Sequence, residues 1–259
     1  MFSTRWISIA LAAAALFMTG CDRTPGTLAP APRPLAGISA NETIGLPGSY
    51  QPGRIYPGTN EAPALIRASF PRFTRTTAGK ASDPVNLLVG ASERQINHIF
   101  IQQGWLTADP INAVSVAKMI KAGLSNGEYP TSPMSTLLLY NRPQDMAWQK
   151  NPVSVRARDH LRVWKTPLRD RHQRPFWAIA ATKDVSIKFG PGDKLPTHAI
   201  SPDIDAEREL VARDFFKSGH VARRYDVQVH PTDFRGVNGG GDEYFSDGKV
   251  AVLELVPLD

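Results

Sequence analysis

A single cysteine in 259 residues leaves no partner for a disulfide within the chain, so packing and polar contacts must hold the fold. No G-x-S-x-G elbow is present, which removes the common strand-turn-helix serine hydrolase. The Gly-rich stretch near the C-terminus lacks the lysine of a phosphate-binding loop, so no nucleotide site follows. No histidine spacing matches a zinc pattern: His198, Asp203 and Asp205 come nearest, at H-x4-D-x-D, and no metal or other cofactor is expected. There is no internal repeat. The one long apolar run, Trp6 to Met18, is too short to cross roughly 30 Å of hydrocarbon.

That run follows a positively charged start, Met1 to Arg5, and precedes Thr19-Gly20-Cys21, which is the order of a signal peptide over residues 1–20. A small residue before the cysteine resembles the bacterial lipoprotein signal. The resemblance implies cleavage before Cys21, acylation of that residue by palmitate-like chains, and anchoring in the cell membrane on its periplasmic side. By the same resemblance Asp22 favours the inner membrane. Residues 21–63 are rich in proline and glycine and read as a solvated tether with a reach on the order of 40 Å. Leu46, Tyr50, Ile55 and Tyr56 allow its later half to lie against the folded part instead. Residues 64–259 have the length of one domain with a real core.

The net charge of +6 drops to +5 once residues 1–20 and their single Arg5 are removed, and the excess is concentrated. Seven of the basic residues fall between Arg156 and Arg174, against Asp159 and Asp170. An exported chain does not meet nucleic acid, so phosphate-bearing lipids or envelope polymers are the expected partners. An extended Arg156–Trp164 would place Arg156, Arg158, His160, Arg162 and Trp164 on one face, with Val155, Ala157, Asp159, Leu161 and Val163 on the other. The second face reads as core and the first as an anion-facing surface. A strand over Phe176–Phe189 pairing with this one across the Pro167–Pro175 loop would set small residues and Asp184 beside the Arg and His side chains, as an open polar recess.

Elsewhere Ser92 and Gln95 have capping-box spacing before a helix that ends at Gly104. Asp109-Pro110 reads as the start of a second helix, and Ser201-Pro202 as the start of a third, running to Ser218 with Ile204, Val211 and Phe215 inward. Strands are expected at Val85–Val89, Ser135–Tyr140, Val221–Val229 and Lys249–Val256. The sum is an α+β fold: a mixed, largely antiparallel sheet in a single domain with helices packed on one face.

Three stretches can carry chemistry. Arg158 and Arg162 could fork an anion, with His160 between them as acid, base or donor and Trp164 beside them, or they form a solvated face paired to acidic neighbours. His198 with Asp203 and Asp205 could add an acid and base, Arg208 lying next in the motif; first-turn carboxylates are also favoured by the helix dipole alone. Arg235, Asn238 and Asp242 flank successive glycines whose backbone could cradle an anion, or they close a tight turn between strands.

The motifs Arg158-Asp-His160-Leu-Arg162-Val-Trp164, Thr197-His198-Ala-Ile-Ser-Pro202-Asp203-Ile-Asp205-Ala-Glu207-Arg208 and Arg235-Gly-Val-Asn238-Gly-Gly-Gly-Asp242-Glu-Tyr244 resemble the LssY carboxy-terminal domain family, as does Pro143-Gln-Asp145-Met-Ala-Trp148. The similarity covers about Asp83 to Val256. Members are typically fused to membrane-embedded modules, and here a lipoprotein tether takes that place. The resemblance implies fold and membrane setting and supplies no mechanism. Two functions follow from the residues. One is binding, or as an enzyme hydrolysis, of an anionic phosphate-containing small molecule or head group by Arg158, His160 and Arg162, completed by Asp184, His198, Asp203 and Asp205. The other is non-catalytic docking of the basic Arg156–Arg174 surface on an inner-membrane protein or anionic lipid.

Overall fold

The computed structural model describes residues 70–109, 131–154, 157–188 and 197–257, with 114, 115, 117, 118, 121 and 129. The signal peptide, Cys21, the tether, Val155, Arg156 and most of the second expected helix lie outside the described residues.

Strands dominate. In chain order they are β1 (Phe73–Thr76), β2 (Ala81–Pro84), β3 (Leu87–Gly90), β4 (Leu106–Thr107), β5 (Leu137–Leu139), β6 (Arg142–Pro143), β7 (Met146–Ser154), β8 (Ala157–Arg169), β9 (Pro175–Lys188), β10 (Thr197–Ile200), β11 (Val221–Gln228), β12 (Phe234–Val237), β13 (Glu243–Ser246) and β14 (Lys249–Leu255). Two helices are described from end to end, α1 (Glu93–Gln102) and α2 (Ile204–Lys217). The large sheet runs β11-β14-β3-β9-β8-β7-β4, with β10 also on β9; a four-stranded sheet runs β2-β1-β5-β6, and β12 and β13 form a separate hairpin. Among these ladders β14–β3 is parallel and the others are antiparallel, so the sheets are mixed and largely antiparallel as expected.

The expected β8–β9 hairpin is present, with Arg158 opposite Asp184, His160 opposite Thr182 and Arg162 opposite Ala180. The register slips between Lys165 and Arg169, where Pro167 cannot donate to a ladder. The turn is fixed from inside: Asp170 accepts from the His172 and Arg174 backbone and from Arg174 Nε at 2.8 Å, and Arg174 reaches on to Gln95 and the Leu255 carbonyl.

On one face of the large sheet Leu161, Val163, Trp177, Ile179, Ala181 and Leu253 share a core with Ile96, Ile99 and Phe100 of α1 and Val211 and Phe215 of α2. The capping box places α1: Ser92 Oγ accepts from Gln95 N at 3.2 Å and Gln95 Oε1 accepts from Ser92 N at 3.2 Å. The opposite face buries Trp164, Phe176, Ala178, Ala180 and Val252 against Leu137 and Leu139 of β5.

That second contact corrects the expectation of an open recess. Arg158, His160 and Arg162 are each only 4 % exposed and Trp164 is fully buried. The physical reason is position: β8 is an interior strand, and β2, β5 and the segment before β5 cover the face that an isolated β8 would show to water. Both faces of β8 are core, and one of them is polar.

The flank of β9 opposite β8 is shared by two strands, β3 at its start and β10 at its end. Between them the Asn86 side chain fills the ladder, donating Nδ2 to the Ala181 carbonyl at 2.9 Å and accepting from Ala181 N at 3.1 Å. The carboxamide thus satisfies a buried backbone pair that no strand reaches.

Candidate functional site

Strand alternation on β8 and β9 aims Arg158, His160, Arg162, Thr182 and Asp184 into the space between the two sheets. Asp184 is the hub. Its Oδ2 accepts from Arg158 Nε at 2.9 Å, and its Oδ1 lies 3.5 Å from His160 Nδ1. From β10, His198 Nδ1 comes within 3.9 Å of the same carboxylate, and its side chain remains 20 % exposed, at the rim of the cluster. Arg158 also donates to Gln149 Oε1 at 2.6 Å and to the Ser132 carbonyl at 2.8 Å. Arg162 is matched by Asp83 of β2 at 3.2 Å and bonds the Ser135 carbonyl and hydroxyl. His160 Nε2 meets Thr182 Oγ1 at 2.9 Å.

Two guanidinium groups thus face two carboxylates, and the imidazole is neutral. Burial, opposed by Asp184 and reinforced by Arg162, Arg158 and His198, pushes His160 down to about 3. Burial alone would raise Asp184, but His160, His198 and Arg158 together hold its carboxyl below the usual range. Burial lifts Asp83, with Arg162 working against it. With Nδ1 turned to an ionised carboxylate, the proton of neutral His160 belongs on Nδ1, which leaves Nε2 to accept from the Thr182 hydroxyl. Each buried guanidinium is matched by a carboxylate, so an added anion would have to displace an aspartate.

The structure brings Arg158, His160, Arg162, Asp184 and His198 together and sends the remaining candidates elsewhere. Asp203 caps α2, accepting from the Asp205 and Ala206 N–H groups at 3.1 Å. Asp205 accepts from Ser246 Oγ at 2.8 Å and from Asp247 N. Arg208 joins Asp205, Asp247 and the Lys249 carbonyl, tying α2 to the turn between β13 and β14. Trp164 is packed in the core. The Gly-rich stretch is the connection between β12 and β13: Asp242 N bonds Asn238 Oδ1, Gly241 N bonds the Asn238 carbonyl, and Gly239 N bonds Ser82 Oγ, so these N–H groups are committed within the protein. Asp242 is paired with Lys188. Arg235 points to solvent on the outer face of the hairpin.

A second polar cluster lies under α2 on the other face of the sheet. Glu207, 3 % exposed, is hydrogen-bonded to Asp159 of β8, which pairs with Lys183 at 3.1 Å. Asp214 takes Lys150 at 2.6 Å and Trp105 Nε1 at 3.0 Å. Burial, and then the Asp159 carboxylate, push Glu207 up to about 9 despite Lys183. The sequence contained the signal: Ile204, Glu207, Arg208, Val211, Ala212 and Phe215 form one helical stripe, and two of its members are charged. Asp83, in contrast, carries no signal beyond its place in the Asp-Pro pair just before the expected Val85–Val89 strand.

Among the described residues no three His, Cys, Asp or Glu side chains are placed to hold a metal ion, and no helix is long and apolar enough to cross a membrane. No curated protein and no solved structure matches the chain. The family described as LssY C-terminus matches residues 67–250, a span that holds every residue of the Asp184 cluster, and the chain belongs to that family.

Proposed function

We propose that this chain is a non-catalytic adaptor of the cell envelope, anchored at the periplasmic side of the membrane through acylated Cys21, whose residues 64–259 act as one domain docking on anionic lipid head groups. The observation that carries this reading is where exposed positive charge sits. The inner arginines are buried and matched by Asp184 and Asp83. At the β8–β9 turn Asp170 is turned inward onto Arg174, while Arg171, 3.6 Å from the buried Glu254 carboxylate, keeps 37 % of its side chain exposed beside exposed His172, with part-exposed Arg169 next to them. Each cation held near an anionic bilayer contributes about 1 kcal/mol of attraction.

Arg169→Glu with Arg171→Glu is therefore expected to weaken sedimentation of the chain with phosphatidylglycerol vesicles by about tenfold or more. Vesicles of phosphatidylcholine alone should bind neither form. Arg174 must stay in place, because it holds the turn to α1 and β14. Equal binding of both forms to the anionic vesicles rules the turn out as the docking element.

One observation favours hydrolysis as a second reading. Asp184, His160 and Thr182 stand in the carboxylate, imidazole, hydroxyl order of an acyl-transfer triad. Thr182 is only 1 % exposed, so substrate has no approach to its oxygen. Thr182→Val should leave any ester turnover by the full chain unchanged; a turnover that vanishes in this variant would make Thr182 the nucleophile and displace the adaptor reading.

A further inference from the structure

We propose that the outer face of the β12–β13 hairpin is a self-association surface for a second copy of this chain, closed by reciprocal Arg235–Glu243 ion pairs across a two-fold axis. The inner face of the hairpin, with Phe234 and Tyr244, packs toward Phe73, Ile200 and Ile204. The outer face carries Arg235, Val237, Glu243 and Phe245, which with Pro202 line an open groove of about 300 Å³. Val237 is 53 % and Phe245 42 % exposed, high values for side chains of this type projecting from a regular ladder. Neither Arg235 nor Glu243 has an ion pair with another described residue, whereas Lys188, Arg208 and Arg224 each do.

The register dictates the complementarity. Arg235 stands opposite Phe245 and Val237 opposite Glu243, so the four form a square with the charges on one diagonal and the apolar groups on the other. A diagonal of about 7–8 Å is within reach of long side chains, yet Arg235 and Glu243 both stay on the groove wall with no ion pair between them. When a second copy is laid face to face with the two-fold axis along the apolar diagonal, Arg235 of each lies over Glu243 of the other. Phe245 then meets Phe245 and Val237 meets Val237. An isologous interface requires this reciprocity: each residue's partner must be found at the symmetry-related place on the same patch. A two-by-two face is smaller than the roughly 1,200 Å² of total area that stable complexes bury, so the association is a weak one.

Sedimentation equilibrium of the full chain over a wide concentration range tests this, with Arg235→Glu, Glu243→Arg and the combined exchange. Concentration-dependent dimerisation is expected, weakened at least tenfold by either single reversal and restored in the double variant, where the exchanged carboxylate and guanidinium pair in the opposite sense. All four positions of the face are exposed, so the variants should keep the parent's melting temperature. A chain that stays monomeric at every concentration overturns the proposal and leaves the face to a different partner. Dimerisation indifferent to the single reversals, or not rescued by the exchange, overturns it as well by placing the contact elsewhere.

Discussion

Asp184→Ala is expected to cost about 3–5 kcal/mol of folding stability, the most damaging single change among the polar residues of the chain. The substitution removes one acceptor and leaves three groups without it: Arg158 at 2.9 Å, His160 at 3.5 Å and His198 at 3.9 Å. Arg158 cannot answer by losing its proton, and it is held between two sheets where water does not reach it. Gln149 and the Ser132 carbonyl remain as acceptors but bring no opposite charge. Urea unfolding at neutral pH measures the loss. Because the Asp184 carboxyl is held below its ordinary value of 3.8, its contribution is fully present above that pH and fades as pH falls further. The gap between wild type and Asp184→Ala should accordingly narrow in acid. A loss below about 1 kcal/mol at neutral pH would mean that solvent reaches Arg158 freely, and with it an anion could too.

Glu207→Gln should do the opposite and stabilise the protein by about 3 kcal/mol at pH 7, or roughly 5–10 °C in melting temperature. With its pKa at about 9 when folded and 4.5 when unfolded, Glu207 keeps a proton in the native state that the unfolded chain releases. Below the unfolded value both states are protonated and nothing is lost. Between the two values stability falls by about 1.4 kcal/mol per pH unit, and above the folded value the loss is complete. Glutamine has the same shape, donates to Asp159 as the protonated acid does, and does not titrate. The difference between the two proteins should be small at pH 5 and grow steadily to pH 8. A difference that is constant across that range would show Glu207 ionised inside the fold.

The sequence disclosed the pairwise parts of this architecture. The Arg158, His160, Arg162 alternation, the pairing of β8 with β9 and the place of Asp184 beside them all follow from period-two geometry and one hairpin. The Ser92–Gln95 box and the inward residues of α2 follow from helical spacing. What did not show was the covering layer. Strands β1 and β2 are four residues long, too short for a period to register, and β2 ends in a proline; β5 falls within the expected Ser135–Tyr140 strand, but nothing in the sequence placed it over β8. Without them the Arg and His face of β8 has to be read as open. The roles of Asp203 and Asp205 were lost for a related reason: a carboxylate in the first turn of a helix looks the same in sequence whether it caps, braces a neighbouring turn or faces a ligand.

The Asn86 carboxamide has a consequence for how the large sheet comes apart. A strand flanked by one continuous neighbour opens as a single cooperative unit, whereas β9 is flanked by β3, a side chain and then β10. The joint at Ala181 is held by two side-chain bonds instead of a run of ladder bonds. Fraying of β10, which carries His198, can stop there without drawing β3 and the parallel β14 apart. The rim of the Asp184 cluster and the central ladder should then open as separate units, and β10 amides are expected to exchange with solvent at a lower free energy than those of β3.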